Sequence, residues 1–381
     1  MLIFTLPSWY KTEKHPENCI FIYEQMLALQ NEGHKVIVLS VQPCRIGRRI
    51  ADRCVDDNGI ITYYTYVSAL TPSKLRGVFI SSFKKGLERL FEKASAEHGK
   101  PDVFYAHFSF AAGAAALPLS EKTRIPLVIQ EHYSGLMQER VDAALLRCLK
   151  KAVEGADGFL CVSEGLKQSI IEKTGFDGEI TVISNMIHPG FVYCPPVPHD
   201  DFVFFSCGNL LERKRFDLLI EAFAEAFPEE PSVKLRIGGS GEERERLCSL
   251  INTKNMSGRI SLIGQLSRED TLREYRSCDA FALASRAETY GLVYREALAV
   301  GRPVVSTRHG GFSADWDDCF GVLTDIDSKP QLVAALKHIY ENYSDYNLGE
   351  ISEKCLETCS QASVARQISR FLSGKSKLLK G

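Results

Sequence analysis

The segment that decides the fold class spans residues 284–305 and reads ASRAETYGLVYREALAVGRPVV. Its pattern predicts the end of a buried strand, a loop, a helix, and a Gly-Arg-Pro turn into another strand. The loop carries Glu288 and Gly291, and the helix carries Glu296. A strand, a helix and a strand in this order are typical of a parallel α/β sheet. The segment therefore predicts one unit of such a sheet with two acids beside it.

The start of this helix is predicted to bind an anion. Gly291 lets the backbone come close to a ligand. The first N–H groups of a helix have no partner inside it, so those of Gly291, Leu292 and Val293 suit a phosphate group. Glu296 lies about one and a half turns further on, where its carboxylate can accept two hydrogen bonds from a diol such as a ribose. On spacing alone, a capped helix with two surface glutamates is an equally good interpretation.

The alternation of short apolar strands with amphipathic helices continues on both sides of this segment. Candidate strands of the first half begin near residues 2, 36, 103, 127, 158 and 181, and those of the second half near residues 202, 233, 260, 280 and 303. This order predicts two doubly wound, mainly parallel sheets. Between them, Cys194-Pro-Pro-Val-Pro-His199 is too rich in proline for the interior of a helix or strand. The predicted domains are therefore residues 1–197 and 198–360.

The composition of the chain excludes several classes of protein. Its 381 residues are 45% hydrophobic and 25% charged, as in a folded soluble protein of two domains. The N-terminus lacks the basic stretch and the small-residue cleavage site of an export signal, which predicts the cytoplasm. A net charge of -2 gives no global attraction to nucleic acid. The 12 cysteines form no CxxC or Cys/His cluster, which favours reduced thiols over disulfides or metal ligands.

Several stretches together resemble one family. The spacing of Glu288 and Glu296 is similar to the E-x7-E signature of the retaining GT-B glycosyltransferases, glycosyltransferase family 4 (glycosyl transferases group 1). GNLLERKRFDLLIEAF, at residues 208–223, is similar to the phosphate-binding loop and following helix of that family. The resemblance covers nearly the whole chain, and further similar stretches are PSWY from Pro7, IFIYEQ from Ile20, GHKV from Gly33, AHF from Ala106, QEH from Gln130 and IGGSGEE from Ile237.

This resemblance implies a GT-B fold, in which two Rossmann-like domains face a cleft. The N-terminal domain would bind the acceptor and the C-terminal domain the nucleotide sugar. A C-terminal helix, here at about residues 361–379, would pack back on the first domain. The implied activity is that of a retaining hexosyltransferase, which moves a sugar from a UDP- or GDP-sugar to a saccharide or lipid-linked saccharide in cell-surface polysaccharide biosynthesis. It implies no metal ion and no cofactor besides the donor.

The resemblance also assigns roles to individual residues. Glu288 would bind hydroxyls of the donor sugar and Glu296 the ribose. Lys214, with Arg213 beside it, would hold the diphosphate, whose charge grows as the glycosidic bond breaks. His107, predicted at the carboxyl end of a strand, would contact the sugar near the reacting carbon. The catalytic set is therefore His107, Lys214 and Glu288, and the donor-binding set is Arg213, Lys214, Glu288, Tyr290, Gly291, Leu292, Val293 and Glu296.

Other positions near these loops are less clearly assigned. Glu131-His132, at the end of the next predicted strand, would either orient the acceptor or His107, or stabilise a loop. Asn209 stands where many relatives have arginine, so Arg213 would supply the missing charge. Cys19 stands where relatives often have glycine, in an N-terminal loop that approaches the phosphates. A Cβ at this position restricts φ and crowds a ligand.

Four alternatives remain open. Asp325-Ile-Asp327 has the form of a DxD metal motif, although a turn with solvated acids is favoured because no other candidate ligand lies near it. The glycine-rich stretch from Gly238 is similar to the dinucleotide fingerprint of NAD(P)-dependent oxidoreductases, but the full GxGxxG spacing is absent. A nucleotide-sugar epimerase of GT-B fold would need carboxylates around the reacting carbon. A degenerate homologue would bind a sugar nucleotide without transferring the sugar.

One predicted helix raises the question of membrane contact. The helix over residues 78–93 carries an apolar stripe of Phe79, Phe83, Leu87 and Phe91, with basic residues elsewhere on its surface. Packing in the core is favoured for this stripe, because any helix of an α/β fold needs an apolar face. Many transferases of the family act on lipid-linked acceptors at the inner face of the membrane. Peripheral membrane contact is therefore a hypothesis.

Overall fold

A computed structural model describes residues 1–16, 18–45, 50–68, 76–138 and 140–378 of the chain. The chain divides into two compact units. The first unit comprises Met1–Met186 and the segment from Gln361 onward, and the second is Ile187–Ser360. The last residue of the predicted C-terminal helix, Leu379, lies outside the described residues.

The first unit contains eight strands among its described residues. They are β1 (Leu2–Pro7), β2 (Lys35–Cys44), β3 (Arg53–Asp57), β4 (Ile60–Ser68), β5 (Val103–His107), β6 (Leu127–Glu131), β7 (Gly158–Cys161) and β8 (Thr181–Val182). They form one sheet in the order β3-β4-β2-β1-β5-β6-β7-β8, parallel except for the pair of β3 and β4. The helices between them are α1 (Ile20–Asn31), α2 (Arg76–His98), α3 (Ala114–Thr123), α4 (Ala143–Gly155) and α5 (Glu164–Thr174).

The central strands of this sheet are buried on both faces. Every residue of β5 and β6 is buried, and so is all of β1 after Leu2. Runs of this kind are expected where helices cover both faces of a parallel sheet. The antiparallel hairpin at the edge turns at Asn58-Gly59, where φ is 53° and 83°. Positive φ at both residues is what a tight type I′ hairpin turn requires.

The second unit repeats the same architecture. Its described strands are β9 (Phe202–Cys207), β10 (Val233–Gly238), β11 (Ile260–Gly264), β12 (Ala280–Ala282), β13 (Val304–Thr307) and β14 (Gly321–Thr324), in the parallel order β11-β10-β9-β12-β13-β14. Its helices are α6 (Phe216–Ala226), α7 (Arg244–Thr253), α8 (Arg268–Ser277), α9 (Leu292–Ala299), α10 (Lys329–Glu341) and α11 (Leu348–Cys359). The prediction of two doubly wound parallel sheets is confirmed.

One predicted helix begins later than the sequence suggests. The apolar run that starts at Ala111 predicts a helix over residues 111–120, whereas α3 begins at Ala114. The backbone of Phe110 and Ala111 is not helical, and Ala111 has a φ of 60°. An irregular turn over Ser109–Gly113 therefore separates β5 from α3.

The proline-rich segment belongs to the second unit. The division between the units falls after Met186, ahead of the predicted boundary at residues 197 and 198. Arg302 is fully buried, and its Nη1 donates to the carbonyl oxygen of Cys194 at 2.9 Å. This bond ties the start of the proline-rich segment to the turn between α9 and β13. A buried guanidinium needs such acceptors, since an unpaired one carries a large desolvation penalty.

The C-terminal helix α12 (Gln361–Leu378) packs on the first unit. Its apolar face shares a buried cluster with residues of α1 and β1, and this face consists of Val364, Ala365, Ile368 and Leu372. His34 and Ser369 add a side-chain hydrogen bond of 2.7 Å between Nε2 and Oγ. The first unit is thus completed by a segment that follows the whole second unit in the chain.

The apolar stripe of α2 is part of the core. Phe79, Phe83 and Leu87 are buried, and the ring of Phe91 contacts Phe4 and Phe104 edge to face. This stripe is therefore occupied within the first unit, as core packing predicts. Of the helices that the structure describes, none combines the length and the apolar character needed to cross a bilayer.

Candidate active site

The loops after β9 and β10 lie side by side through their backbones. Gly208 N–H donates to the carbonyl oxygen of Gly238 at 3.1 Å, and Leu210 N–H donates to that of Ser240 at 2.8 Å. Beyond them, Glu243 N–H donates to the carbonyl oxygen of Leu210 at 3.1 Å. Both loops follow the carboxyl ends of parallel strands, which is where open α/β sheets bind ligands.

Lys214 and Glu288 form a buried ion pair at this edge of the sheet. Lys214 ends a short helical turn, and its ammonium contacts the Oε1 of Glu288. The two side chains are only 9% and 12% exposed. Burial raises the pKa of the Glu288 carboxyl, but the adjacent Lys214 ammonium more than offsets this and leaves the pKa below its usual value. A fixed, weakly screened pair of charges therefore stands at the end of β9.

Arg213 joins two loops. Its Nη1 donates to the carbonyl oxygen of Ala287 at 3.0 Å, and its own carbonyl accepts from Arg286 N–H at 2.9 Å. The guanidinium is thus partly used in holding the loop that carries Glu288 against the loop that carries Lys214. Arginine has five N–H donors, so this bond leaves others for a ligand.

The start of α9 has the geometry that the sequence predicts. Gly291 precedes the helix with a φ of 77°, a left-handed conformation that a side chain would strain. The helix begins at Leu292, and the first intrahelical donor is Tyr294, whose N–H reaches the carbonyl oxygen of Gly291 at 3.1 Å. Leu292 and Val293 therefore occupy the first turn, where N–H groups face the helix end.

A cavity of about 270 Å³ opens beside this helix start. Glu296 and Val293 line it from α9, and Asn209 lines it from the loop after β9. Phe191, from the segment ahead of the proline-rich stretch, also lines it. The remaining lining residues come from neighbouring strand ends and from α8; they are Cys207, Gly208, Gly238, Gly239, Gln265, Leu266, Arg268 and Thr271. The cavity is large enough for part of a nucleotide, and its wall carries one acid of the predicted pair.

Tyr275 supports this wall from within the unit. Its hydroxyl lies 2.7 Å from the carbonyl oxygen of Val293 and 3.3 Å from the Oε2 of Glu296. Tyr275 is fully buried, and burial raises the pKa of its hydroxyl, which stays protonated. The role of Tyr275 was not predicted from the sequence, because a tyrosine on an amphipathic helix carries no signal of its own.

Tyr290 packs inside the second unit. It is buried, and the guanidinium of Arg295 stacks over its ring at 4.4 Å. The predicted contact of Tyr290 with the donor stays a prediction.

In the first unit, two histidines meet at the ends of β5 and β6. The Nδ1 of His107 lies 3.0 Å from the Nε2 of His132, and both side chains are buried. Burial lowers the pKa of both imidazoles, that of His132 to about 3. Both rings are therefore neutral near pH 7. The Nε2 of His107 is buried without a hydrogen-bond partner among the described residues.

Glu131 stabilises the backbone around these histidines. Its carboxylate accepts from the backbone N–H groups of Ser109, His132 and Tyr133, each at 2.9 Å. It thereby joins the turn after β5 to the loop after β6. Of the two roles predicted for Glu131-His132, Glu131 fills the loop-stabilising one and His132 contacts His107.

Comparison with known proteins covers both halves of the chain. A family model described as Glycosyltransferase Family 4 matches residues 20–191, and one described as Glycosyl transferases group 1 matches residues 195–375. This chain belongs to the family 4 glycosyltransferases. The membership agrees with the resemblance of the Glu288–Glu296 spacing and of residues 208–223 to stretches of that family.

Relatives of this glycosyltransferase include enzymes of lipid and lipopolysaccharide synthesis. It is 26% identical over 340 residues to an alpha-monoglucosyldiacylglycerol synthase of Acholeplasma laidlawii, covering 82% of each chain. It is 34% identical over 196 residues to the lipopolysaccharide core biosynthesis glycosyltransferase LpsE of Rhizobium meliloti, covering 49% of this chain and 55% of that one.

Solved structures show the same fold. Sucrose-phosphate synthase from Thermosynechococcus elongatus is similar with a TM-score of 0.77 and 18% identity, covering 98% of this chain and 99% of that one. Anabaena HepE in complex with UDP and glucose has a TM-score of 0.72 and 18% identity, covering 98% of this chain and 100% of that one. The predicted GT-B fold is confirmed.

The residues of the DxD-like stretch of this glycosyltransferase pair with arginines. Asp327 contacts Arg215 and lies 2.8 Å from the Nε of Arg286. Asp325 accepts from the side chain of Gln331 at 2.8 Å and faces Arg308 at 3.6 Å. Within the described part of the chain, no group of three or more His, Cys, Asp or Glu side chains is arranged to hold a metal ion.

Cys19 adopts the conformation of a glycine. It precedes α1 with a φ of 49° and a ψ of 39°, in the left-handed region. The departure from the family pattern therefore places a Cβ where the backbone geometry favours none. The backbone before α1 is therefore locally strained at Cys19.

Proposed function

We propose that this glycosyltransferase is a retaining, metal-independent hexosyltransferase that moves a sugar from a nucleotide-diphosphate sugar to a saccharide or lipid-linked saccharide. The buried Lys214–Glu288 pair beside the start of α9 carries the proposal. A cation next to a helix N-terminus suits a diphosphate, because both favour negative charge. A carboxylate beside that cation suits the hydroxyls of a sugar.

The donor is proposed to lie with its ribose at Glu296 and its diphosphate at Lys214. The cavity beside Glu296 supports this orientation, since it lies next to the first turn of α9. Asn209 contributes an uncharged side chain to the cavity wall, so Arg213 and Lys214 are the cations proposed for the phosphates. HepE, a protein of the same fold, is described in complex with UDP and glucose, which makes UDP-glucose the first donor to test.

The proposed chemistry is attack on the face from which the nucleotide leaves. The acceptor hydroxyl forms a bond to the anomeric carbon as the bond to the phosphate oxygen breaks, and the hydroxyl proton passes to that phosphate oxygen. Both events on one face retain the anomeric configuration. Lys214 and the N–H groups of the first turn of α9 would stabilise the charge that grows on the leaving diphosphate.

His107 is proposed as a catalytic residue of the same reaction. Its Nε2 is buried and has no partner among the described residues, so a hydroxyl of the donor sugar or the acceptor would satisfy it. Because the ring is neutral, His107 would act as a hydrogen-bonding group and would carry no charge. His132, in contact with the other ring nitrogen, would set the orientation of this imidazole.

The setting is proposed to be the synthesis of a cell-surface glycan or glycolipid in the cytoplasm, at the inner face of the membrane. The relatives named above support this setting, since one is described as a synthase of a glucosylated diacylglycerol and one as a lipopolysaccharide core transferase. The apolar stripe of α2 does not supply the membrane contact, because it is packed in the core.

The test is incubation of the purified protein with UDP-glucose and GDP-mannose labelled in the sugar, with and without EDTA and with a panel of saccharide and lipid-linked acceptors. We expect sugar transfer or slow hydrolysis that EDTA does not change, and an α-linked product from an α-linked donor. Interconversion of epimeric nucleotide sugars would instead identify an epimerase. Binding without turnover would identify a degenerate homologue, and the absence of any binding would refute the proposed donor site.

A further inference from the structure

His309 occupies a turn directly against the backbone of Glu288. It follows β13 by two residues and precedes Gly310-Gly311. A Cβ at Gly311 would overlap the carbonyl oxygen of Glu288, so this turn and the Glu288 loop touch through their backbones. Only glycine allows this approach. The turn that carries His309 is thereby fixed beside the acid proposed to bind the donor sugar.

Aromatic stacking positions the ring of His309. It stacks on Tyr294 with ring centroids 5.5 Å apart and an interplanar angle of 29°. Tyr294 is itself fixed, because its hydroxyl donates to the carbonyl oxygen of Leu283 at 3.1 Å and Phe312 stacks on it at 5.0 Å. The stacking on Tyr294 therefore fixes the plane of the His309 imidazole.

Neither ring nitrogen of His309 bonds another residue among those that the structure describes. The residue is only 6% exposed, so water does not readily replace a partner. Buried polar side-chain atoms are hydrogen-bonded in the large majority of cases, and an exception calls for a reason. A ligand that supplies the missing partner is such a reason at the edge of a binding site.

The charged groups that act on His309 are those of the proposed donor site. Burial lowers the pKa of the imidazole to about 4, while the Glu288 carboxylate raises it and the Lys214 ammonium lowers it. His309 is therefore neutral at pH 7, with one nitrogen that donates and one that accepts. A neutral group of this kind matches a sugar hydroxyl, which also donates and accepts, better than it matches a phosphate oxygen, which only accepts.

We propose that His309 binds a hydroxyl of the transferred sugar next to Glu288, and that it helps to select among sugars that differ in the configuration of one hydroxyl. This inference rests on the proposed function and adds a specificity-determining residue to it. Glu288 alone is a poor discriminator, because an ionised carboxylate accepts from any hydroxyl within reach. A ring fixed by stacking has one direction for its hydrogen bond, so it favours the epimer whose hydroxyl meets it.

The experiment compares nucleotide affinity with nucleotide-sugar affinity by isothermal titration calorimetry. The probes are UDP, UDP-glucose and UDP-galactose, with GDP, GDP-mannose and GDP-glucose as a second series. His309→Phe keeps a flat ring for Tyr294 and removes both nitrogens, and His309→Asn keeps one donor and one acceptor. His338→Phe, on the exposed face of α10, is the matched control. Thermal unfolding of each variant reports whether it is folded.

We expect His309→Phe to lower the affinity for the nucleotide sugar at least fivefold relative to the affinity for the free nucleotide. The variant should also show a smaller preference between epimeric sugars. His309→Asn should retain more of that preference, and His338→Phe should match the wild type. An unchanged ratio of nucleotide-sugar to nucleotide affinity in folded His309→Phe would overturn the inference, as would an equal loss of both affinities. A wild-type protein that binds none of the six probes would instead overturn the proposed function on which the inference rests.

Discussion

The two units place chemically opposite groups at the ends of their strands. The second unit holds a buried ion pair, Lys214 and Glu288, whose charges persist because each partner stabilises the other. The first unit holds His107 and His132, which have no charged partner among the residues that the structure describes and are neutral through burial. Burial thus has two outcomes: it keeps charge where an opposite charge is in contact, and it removes charge where none is. The charged site suits a diphosphate, and the neutral site suits hydroxyl groups.

The largest expected effect is that of removing the cation from the charged site. Lys214→Ala should lower kcat/KM by about 3 kcal/mol, or roughly a hundredfold, because the leaving diphosphate loses its counter-charge and Glu288 is left buried without its partner. Steady-state kinetics with the donor that the labelled-sugar assay identifies measures this change. Lys337→Ala, an exposed lysine of α10, is the control. Activity of Lys214→Ala within threefold of the wild type would remove the assignment of the donor site.

A somewhat smaller effect is expected at the far side of the same site. Glu296→Ala should lower kcat/KM by about 2 kcal/mol, because the ribose loses a charged acceptor that Tyr275 contacts from behind. The affinity for the free nucleotide should fall by a similar factor, since the ribose belongs to the nucleotide. Calorimetry with UDP checks this, with Glu353→Ala on α11 as the control. Loss of turnover with unchanged nucleotide affinity would place Glu296 elsewhere in the mechanism.

The neutral site predicts a dependence of stability on pH. The pKa of His132 is about 3 in the folded protein and about 6.5 in the unfolded chain. Its contribution to stability is therefore complete above pH 6.5 and declines as the pH falls toward 3. When the pH is lowered from 7 to 5, protonation of His132 in the unfolded chain should reduce the free energy of unfolding by about 2 kcal/mol. Denaturant unfolding at both pH values measures this loss of unfolding free energy. The loss should be about 2 kcal/mol smaller in His132→Gln than in the wild type.

His107 and His309 are also buried and neutral, so the wild type should lose more than His132 alone accounts for. His338→Gln is the control for His132→Gln, because it removes an exposed histidine and leaves the buried pair intact. If His132→Gln and the wild type lose the same stability between the two pH values, His132 is charged in the folded protein and the contrast between the units fails.

The smallest expected effect concerns the strained residue before α1. Cys19→Gly should raise the free energy of unfolding by up to about 1 kcal/mol, because glycine adopts the left-handed backbone conformation without strain. Cys54→Gly is the matched control, since Cys54 lies in β3 and glycine weakens a strand. Urea unfolding measures both variants. A destabilised Cys19→Gly would show that the thiol contributes packing that exceeds the strain.

The sequence was sufficient for those parts of the fold that depend on repeated patterns. Alternating apolar runs predicted both parallel sheets, and the pattern of residues 284–305 predicted the helix that starts after Gly291. The edge hairpin was missed, although Asn58-Gly59 between two apolar runs is a recognised turn signal. Polar side chains that meet only through tertiary structure were also missed, and Tyr275 and His309 are examples. Their roles depend on which distant residues they contact, and no local spacing encodes that.

The position of α12 bears on how the protein is made and divided. Because its apolar face completes the cluster around α1, a fragment ending at Met186 would expose that cluster to water and to other chains. During translation, the core of the first unit can close only after the whole second unit and α12 have been synthesised. A separately folding first half would thus require α12 to be rejoined to it, for example by a circular permutation that brings Gln361–Leu378 ahead of Met1.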